Sequence, residues 1–338
     1  MPIDIVLTFH RKVPHKTFKI EVGQSPLKRF TVNTDVLTHR SRFLAATRKP
    51  EWLAGNDSSK PVDLSDEDPD VFQFYLDCVC LGAKSLQKFT TEFERQMSSY
   101  GPIVDVFFTK TEPDESSITR IFGEVGPIKS VRVGSRGAFK GYSYRVEFAS
   151  AESAAGALAR FRIHTSSGHR LQAYISPASK MKVEAAKIKL SAEGCEALIN
   201  LYLLAGKLQD LTTANMVIDE LMRFVSITGR IPTHAATSFT YNSTASSNLL
   251  RMLLRDYWIY CSPADVLENL EADTFPQDLV RDIAKELMRF KLGNLTSEKC
   301  RRDMCSDKCR YHQHDNEHPR CGTQRVVACV RWPTAKST

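Results

Sequence analysis

Phe18-Lys19-Ile20-Glu21-Val22 alternates apolar and polar positions with the period of two expected of a strand buried on one face. Gly23 to Pro26 supplies turn residues, and Arg29-Phe30-Thr31-Val32 follows as the second strand of a hairpin. The period then lengthens. Thr34 or Asp35 is placed to cap a helix carrying Val36, Leu37, Phe43 and Leu44. Val62-Asp63-Leu64 reads as a short strand. Asp68-Pro69 opens a helix with Val71, Phe72, Tyr75, Leu76 and Val79 at core spacing, since proline in a first turn loses no hydrogen bond. From Gly82 to Pro102 the pattern is polar and irregular, as in a connector.

A second patterned stretch begins with a strand over 103–109. Thr111 can cap a helix in which Ile118, Ile121, Phe122 and Val125 share one face. Gly126-Pro127 ends it, and Ser130 to Val133 forms the next strand. A basic, glycine-containing loop, 134–140, leads to a strand over 141–148. Ser150 starts a helix with Ala154, Ala157, Leu158 and Phe161, and Leu171 to Ile175 closes the set. The order βαββαβ is the ferredoxin-like plan. Beyond a charged stretch, amphipathic helices are predicted over 195–209 and 211–225, with further helices near 249–260 and 276–290.

Charge sharpens this division. The whole chain of 338 residues carries a formal net charge of +7. Between Ile128 and Leu190, twelve Lys and Arg face three acids, an excess of nine, so the remainder is slightly acidic. A concentrated basic segment suits a polyanion partner or, more simply, a solvated face. Met1 to Phe9 lacks the pattern of a secretory signal, and no apolar stretch is long enough for a bilayer. An intracellular protein with reduced cysteines is therefore expected, with no membrane partner; nucleus and cytoplasm are not separated. Cys78, Cys80, Cys195 and Cys261 fall in apolar helical patterns and read as small buried hydrophobes.

Phe30 to Phe43, with Val62-Asp63-Leu64 and Asp68 to Phe72, resembles the opening of a BTB/POZ domain, especially its fungal branch. Leu201 to Ala205, Lys207 to Asp210 and Ala214 to Asp219 resemble the paired C-terminal helices of that fold. Leu249 to Asp256 and Phe275 to Asp278 resemble the helical extension of fungal members. The resemblance implies self-association or binding of another protein. Asn33 stands where the family has histidine, which weakens transfer of the family's pocket, and no cullin-contact signature is evident. Two helices and a small sheet cannot stand alone, but together they can share one core.

The intervening segment, with Lys140-Gly141-Tyr142-Ser143-Tyr144, resembles an RNA recognition motif (RRM). The resemblance implies stacking of single-stranded bases on aromatics of the two central strands, here Phe107, Tyr142 and Tyr144. Arg132, Lys140 and Arg145 would add phosphate contacts, with Lys129 and Arg136 nearby. The register leaves two readings. Counted forwards from Lys140, the tyrosines face the RNA. Counted backwards from Val146 and Phe148, they face the core and Ser143 and Arg145 face outwards, unless a β-bulge near Tyr144 or Arg145 intervenes.

The C-terminal region gathers Cys300, Cys305, Cys309, His312, His314, His318, Cys321 and Cys329. Thiolate and imidazole at this density suit Zn²⁺, and Cys309, His312, His314 and Cys321 form the candidate ligand set. The alternative is a flexible tail with free thiols. The chain shows no GxGxxG, P-loop, nucleophile elbow or HExxH pattern, so catalysis is not expected.

The expected architecture is α+β: a BTB/POZ fold with a helical C-terminal extension, interrupted by an RRM-like domain. Its parts are 15–85, the first BTB half; 86–102, a linker; 103–178, the RRM-like domain; 179–193, a charged linker; 194–290, the C-terminal helices and extension; and 291–338, the Cys/His-rich tail. The expected role is non-catalytic protein–protein interaction, by dimerisation or as an adaptor. The alternative is an RNA-binding protein whose RRM stacks single-stranded RNA and whose BTB part supplies dimerisation.

Overall fold

The structure, a computed structural model, describes residues 3–6, 16–49, 60–99, 103–108, 114–133, 142–161, 164–166, 169–175, 177–262, 275–292, 304 and 308–315. Thr111, Lys140 and Cys321 lie outside the described residues. The chain divides into two compact units, one made of residues 1–90 and 191–338 and the other of residues 91–190.

The first unit contains strands β1 (Ile3–Val6), β2 (Thr17–Val22), β3 (Lys28–Asn33) and β4 (Val62–Leu64), ordered β1-β3-β2-β4. β2 and β3 pair antiparallel, while the outer strands add in parallel. Ile20, Val22, Phe30 and Val32 are buried from alternate positions, as the period of two requires. Helices α1 (Thr34–Arg40) and α2 (Arg42–Ala46) follow β3. The cap of α1 is Asn33, whose Oδ1 accepts from Val36 N at 3.1 Å, and not Thr34 or Asp35. Its amide thus satisfies an amide N–H that the first turn leaves open.

Helix α3 (Pro69–Leu81) is capped by Asp68 and packs Phe72 edge-on against Phe30, with ring centroids 5.0 Å apart. The expected connector after it is instead a helix, α4 (Ala83–Ser99). Ser85, Leu86, Thr90 and Phe93 are its buried positions among the described residues, spaced for one face.

The second unit has strands β5 (Ile103–Phe108), β6 (Ile128–Val133), β7 (Tyr142–Phe148), β8 (His164–Ser166) and β9 (His169–Ile175). Their spatial order is β6-β7-β5-β9-β8, antiparallel throughout. Helices α5 (Glu115–Gly123) and α6 (Ala151–Phe161) complete the ferredoxin-like plan. Asp114 caps α5, accepting from Ser117 N at 3.0 Å. Val104, Val106, Phe108, Tyr144, Val146 and Phe148 from the sheet meet Ile118, Phe122, Ala154 and Ala157 from the helices in one core. The β8 hairpin is an addition that the hydrophobic pattern did not predict.

Residues 179–193, expected as a linker, are continuous helix within α7 (Pro177–Lys207). Helices α8 (Leu211–Thr228), α9 (His234–Ser243), α10 (Leu249–Tyr260) and α11 (Gln277–Leu292) complete the described helices of the first unit. Gly194 lets α7 approach α8 closely: a Cβ there would lie 2.5 Å from the Phe224 ring.

Buried Asp210 ties the two chain segments of this unit together. It caps α8 through Thr213 N at 2.9 Å, accepts from the Tyr75 hydroxyl at 3.1 Å and pairs with Arg40 at 3.4 Å. Ser41 adds a hydrogen bond to the Leu208 carbonyl at 2.6 Å, and Thr90 one to Glu220 at 2.8 Å. No described helix is long and apolar enough to cross a membrane.

Candidate nucleic-acid interface

The open face of the second unit's sheet follows from the register of β7. Its burial alternates so that Tyr144, Val146 and Phe148 are buried while Arg145 is exposed. Tyr144 is 3% exposed and meets Phe108 edge-on at 5.8 Å. Tyr142 also packs against the core. These two rings are therefore not a stacking platform. The reading counted backwards from Val146 describes the strand. β7 pairs with β5 from Ile103↔Glu147 to Phe108↔Tyr142 without a shift. The irregularity falls on the other side, between Ile128 and Ser130 of β6, so it does not turn the tyrosines over.

Ser143, Arg145 and Glu147 take the opposite positions of β7. Across the sheet, Arg132 of β6 pairs with Arg145, Arg145 with Asp105 of β5, and Asp105 with Tyr174 of β9. One transverse row thus spans four strands. Arg145 Nε donates to Asp105 Oδ1 at 3.1 Å, beside an Asp105 side chain that is only 9% exposed. In the neighbouring row Ser130 donates to Glu147 at 3.0 Å. Arg132 is exposed and has no ion-pair partner among the described residues. Phe107 pairs in register with Ser143 and Gln172.

Of the candidate RNA-binding residues, the fold therefore brings Arg132, Arg145 and the Phe107 position into adjacent register and turns Tyr142 and Tyr144 away. Lys140 is among the residues not described. Tyr174 was not singled out by the sequence pattern. Its signal was available, because Gln172 and Tyr174 alternate with Leu171, Ala173 and Ile175.

The Cys/His-rich region gives a different picture from a loose tail, at least over the residues described. The 3₁₀ turn Lys308–Arg310 leads into Tyr311, which is fully buried and donates to Asp256 at 2.7 Å. Arg310 pairs with the same carboxylate at 2.8 Å. Gln313 exchanges two hydrogen bonds with Asn215, at 2.8 and 2.9 Å. His312 is buried with Nε2 3.4 Å from Asp219, and its ring lies 6.0 Å from that of His314. Among the described residues no group of three or more His, Cys, Asp or Glu side chains is spaced to hold a metal. Cys309, His312 and His314 form no such group among the described residues, and Cys321 lies outside them.

Cys78, Cys195 and Cys261 are buried as expected, but Cys80 is exposed. Burial pushes the Cys78 thiol up to about 11 and the Cys195 thiol up to about 12. Neither thiol is thus poised as a nucleophile at neutral pH.

Residues 110–172 match the family described as the RNA recognition motif, so the chain carries an RRM domain there. The match starts just beyond β5 and ends within β9. A solved structure described as the Rna15 RRM with bound RNA (GU) is similar over 25% of this chain and 94% of that chain. The two share 18% identity, with a TM-score of 0.20. No curated protein matches the chain.

Proposed function

We propose that residues 103–175 bind single-stranded RNA on the open face of their sheet. The observation that carries this reading is the RRM match over a sheet whose open face pairs Arg132 with Arg145. Arginines recognise phosphate and stack on bases, so this face supplies both without the tyrosines. Asp105 neutralises Arg145, which leaves Arg132 the greater share of the electrostatic attraction. The Phe107 and Tyr174 positions flank the Asp105–Arg145 pair and are the proposed sources of base stacking. Each stacked base adds about 1–3 kcal/mol.

A fluorescence-polarisation titration with an unstructured RNA oligonucleotide over a salt series tests the charge assignment. Arg132→Glu is expected to weaken binding more than Arg145→Glu. Arg132→Ala, which only removes a phosphate contact, should flatten the plot of log affinity against log salt by about 0.7. Absence of saturable binding, or binding indifferent to Arg132, Arg145 and Phe107→Ala together, contradicts the proposal.

For the first unit we infer a non-catalytic protein-binding role of the BTB/POZ type, by dimerisation or as an adaptor. What favours it is that buried polar contacts join the two chain segments, with Asp210 bonded to Tyr75 and Arg40. The solution mass of the full chain, by light scattering, tests self-association.

A further inference from the structure

Helix α11 sorts its charges by direction. Leu279 and Ile283 pack against a cluster containing Tyr241 and Trp258. Asp282 and Glu286 turn towards the same body: Asp282 accepts from the Tyr241 hydroxyl at 3.5 Å, and Glu286 pairs with Arg255 at 3.6 Å. Asp278 stands at the edge, pairing with Arg251 at 3.6 Å and with Arg281 at 3.0 Å. The opposite face carries two rows at alternating spacings of four and three residues. One is Val280, Ala284, Leu287 and Lys291; the other is Arg281, Lys285, Met288 and Leu292. All eight are exposed. Four of the ten exposed large hydrophobics among the described residues lie here: Val280, Leu287, Met288 and Leu292, the last 81% exposed. Lys285 and Lys291 have no ion-pair partner among the described residues.

We propose that this face of α11 docks an acidic amphipathic helix of another polypeptide. Rows at this spacing are the ridges between which the side chains of a second helix insert. Arg281 already has Asp278, but Lys285 and Lys291, set among aliphatic side chains, then require carboxylates opposite them, because a desolvated unpaired charge is costly. A second copy of the same face would set lysine against lysine under two-fold symmetry. A helix lying in a bilayer surface keeps its cations on the side away from its apolar stripe, whereas Arg281 and Lys285 continue the row of Met288 and Leu292. The aliphatic content also offers no stacking surface for bases.

The test uses the full chain and a labelled synthetic helical peptide of leucine and glutamate, with its leucine–lysine counterpart as control. The glutamate peptide is expected to bind at least about tenfold more tightly than the lysine peptide, because like-charge juxtaposition is penalised at an interface. Lys285→Glu and Met288→Glu should each weaken it about tenfold, in the range of a substituted interface residue, with the circular dichroism spectrum unchanged. Equal binding of the two peptides, or indifference to both substitutions, overturns the proposal. So does any of three effects of Lys285→Glu in the absence of peptide binding: loss of binding to vesicles of equal parts phosphatidylserine and phosphatidylcholine, loss of self-association, or loss of RNA binding.

Discussion

Replacing Asp210 by alanine is expected to destabilise the first unit by about 3–5 kcal/mol, among the largest effects of any single substitution. The carboxylate is fully buried and serves three elements at once. It caps α8, accepts the Tyr75 hydroxyl from α3 and pairs with Arg40 from α1. Removing it leaves the Tyr75 phenol without its acceptor, leaves Arg40 without its carboxylate and with only the Thr213 hydroxyl, and opens the first turn of α8. Asp210→Asn keeps an oxygen for the cap and should lose less than the alanine form. Urea unfolding followed by helical circular dichroism measures both. A loss below about 1 kcal/mol for the alanine form would mean that these contacts do not join the two chain segments, since such a value is ordinary for a surface site.

The second large effect is expected at Tyr144. As a core residue against Phe108, it should cost about 3–5 kcal/mol when cut to alanine, and far less as Tyr144→Phe, which keeps the ring. Were Tyr144 a stacking residue on the open face, alanine would leave stability within about 0.5 kcal/mol and lower only RNA affinity. Unfolding of the isolated effect is readable in the full chain by comparing protease sensitivity of β7 in the two variants.

The register of β7 is legible in the sequence from Val146 and Phe148 as core positions, because a strand's faces alternate unless a bulge intervenes. What the sequence could not decide was where an irregularity would fall, and it lies in β6. The helix α4 is masked in the sequence because lysine, glutamine, threonine and glutamate make up much of it. Its spacing of Leu86, Phe89, Phe93 and Met97 nevertheless marks one helical face. The charged stretch before residue 194 likewise has the polar composition of a linker, though alanine and lysine favour helix.

Other features depend on contacts between residues far apart in sequence. Asp210 meets Tyr75 and Arg40 across the whole RRM-containing segment, and no local pattern predicts that. The Asp105–Arg145 pair depends on β5 and β7 being neighbours, which follows only from the strand order. The cap at Asn33 was legible in principle, since asparagine is among the best capping residues, but Thr34 and Asp35 compete for the same role. In the C-terminal region, the density of cysteine and histidine drew attention to metal. The described anchor instead rests on Tyr311, Arg310 and Gln313, residues with no compositional signal.

RNA binding is proposed on the open face of the second unit's sheet. Ultraviolet cross-linking of a photoreactive single-stranded RNA to the full chain, with the attached peptides identified by mass spectrometry, tests it directly. Cross-links are expected on the strand segments 103–108, 128–133, 142–148 and 169–175 and to be lost in Arg132→Glu. Cross-links confined to α5 and α6, or none that compete with unlabelled RNA, would contradict it.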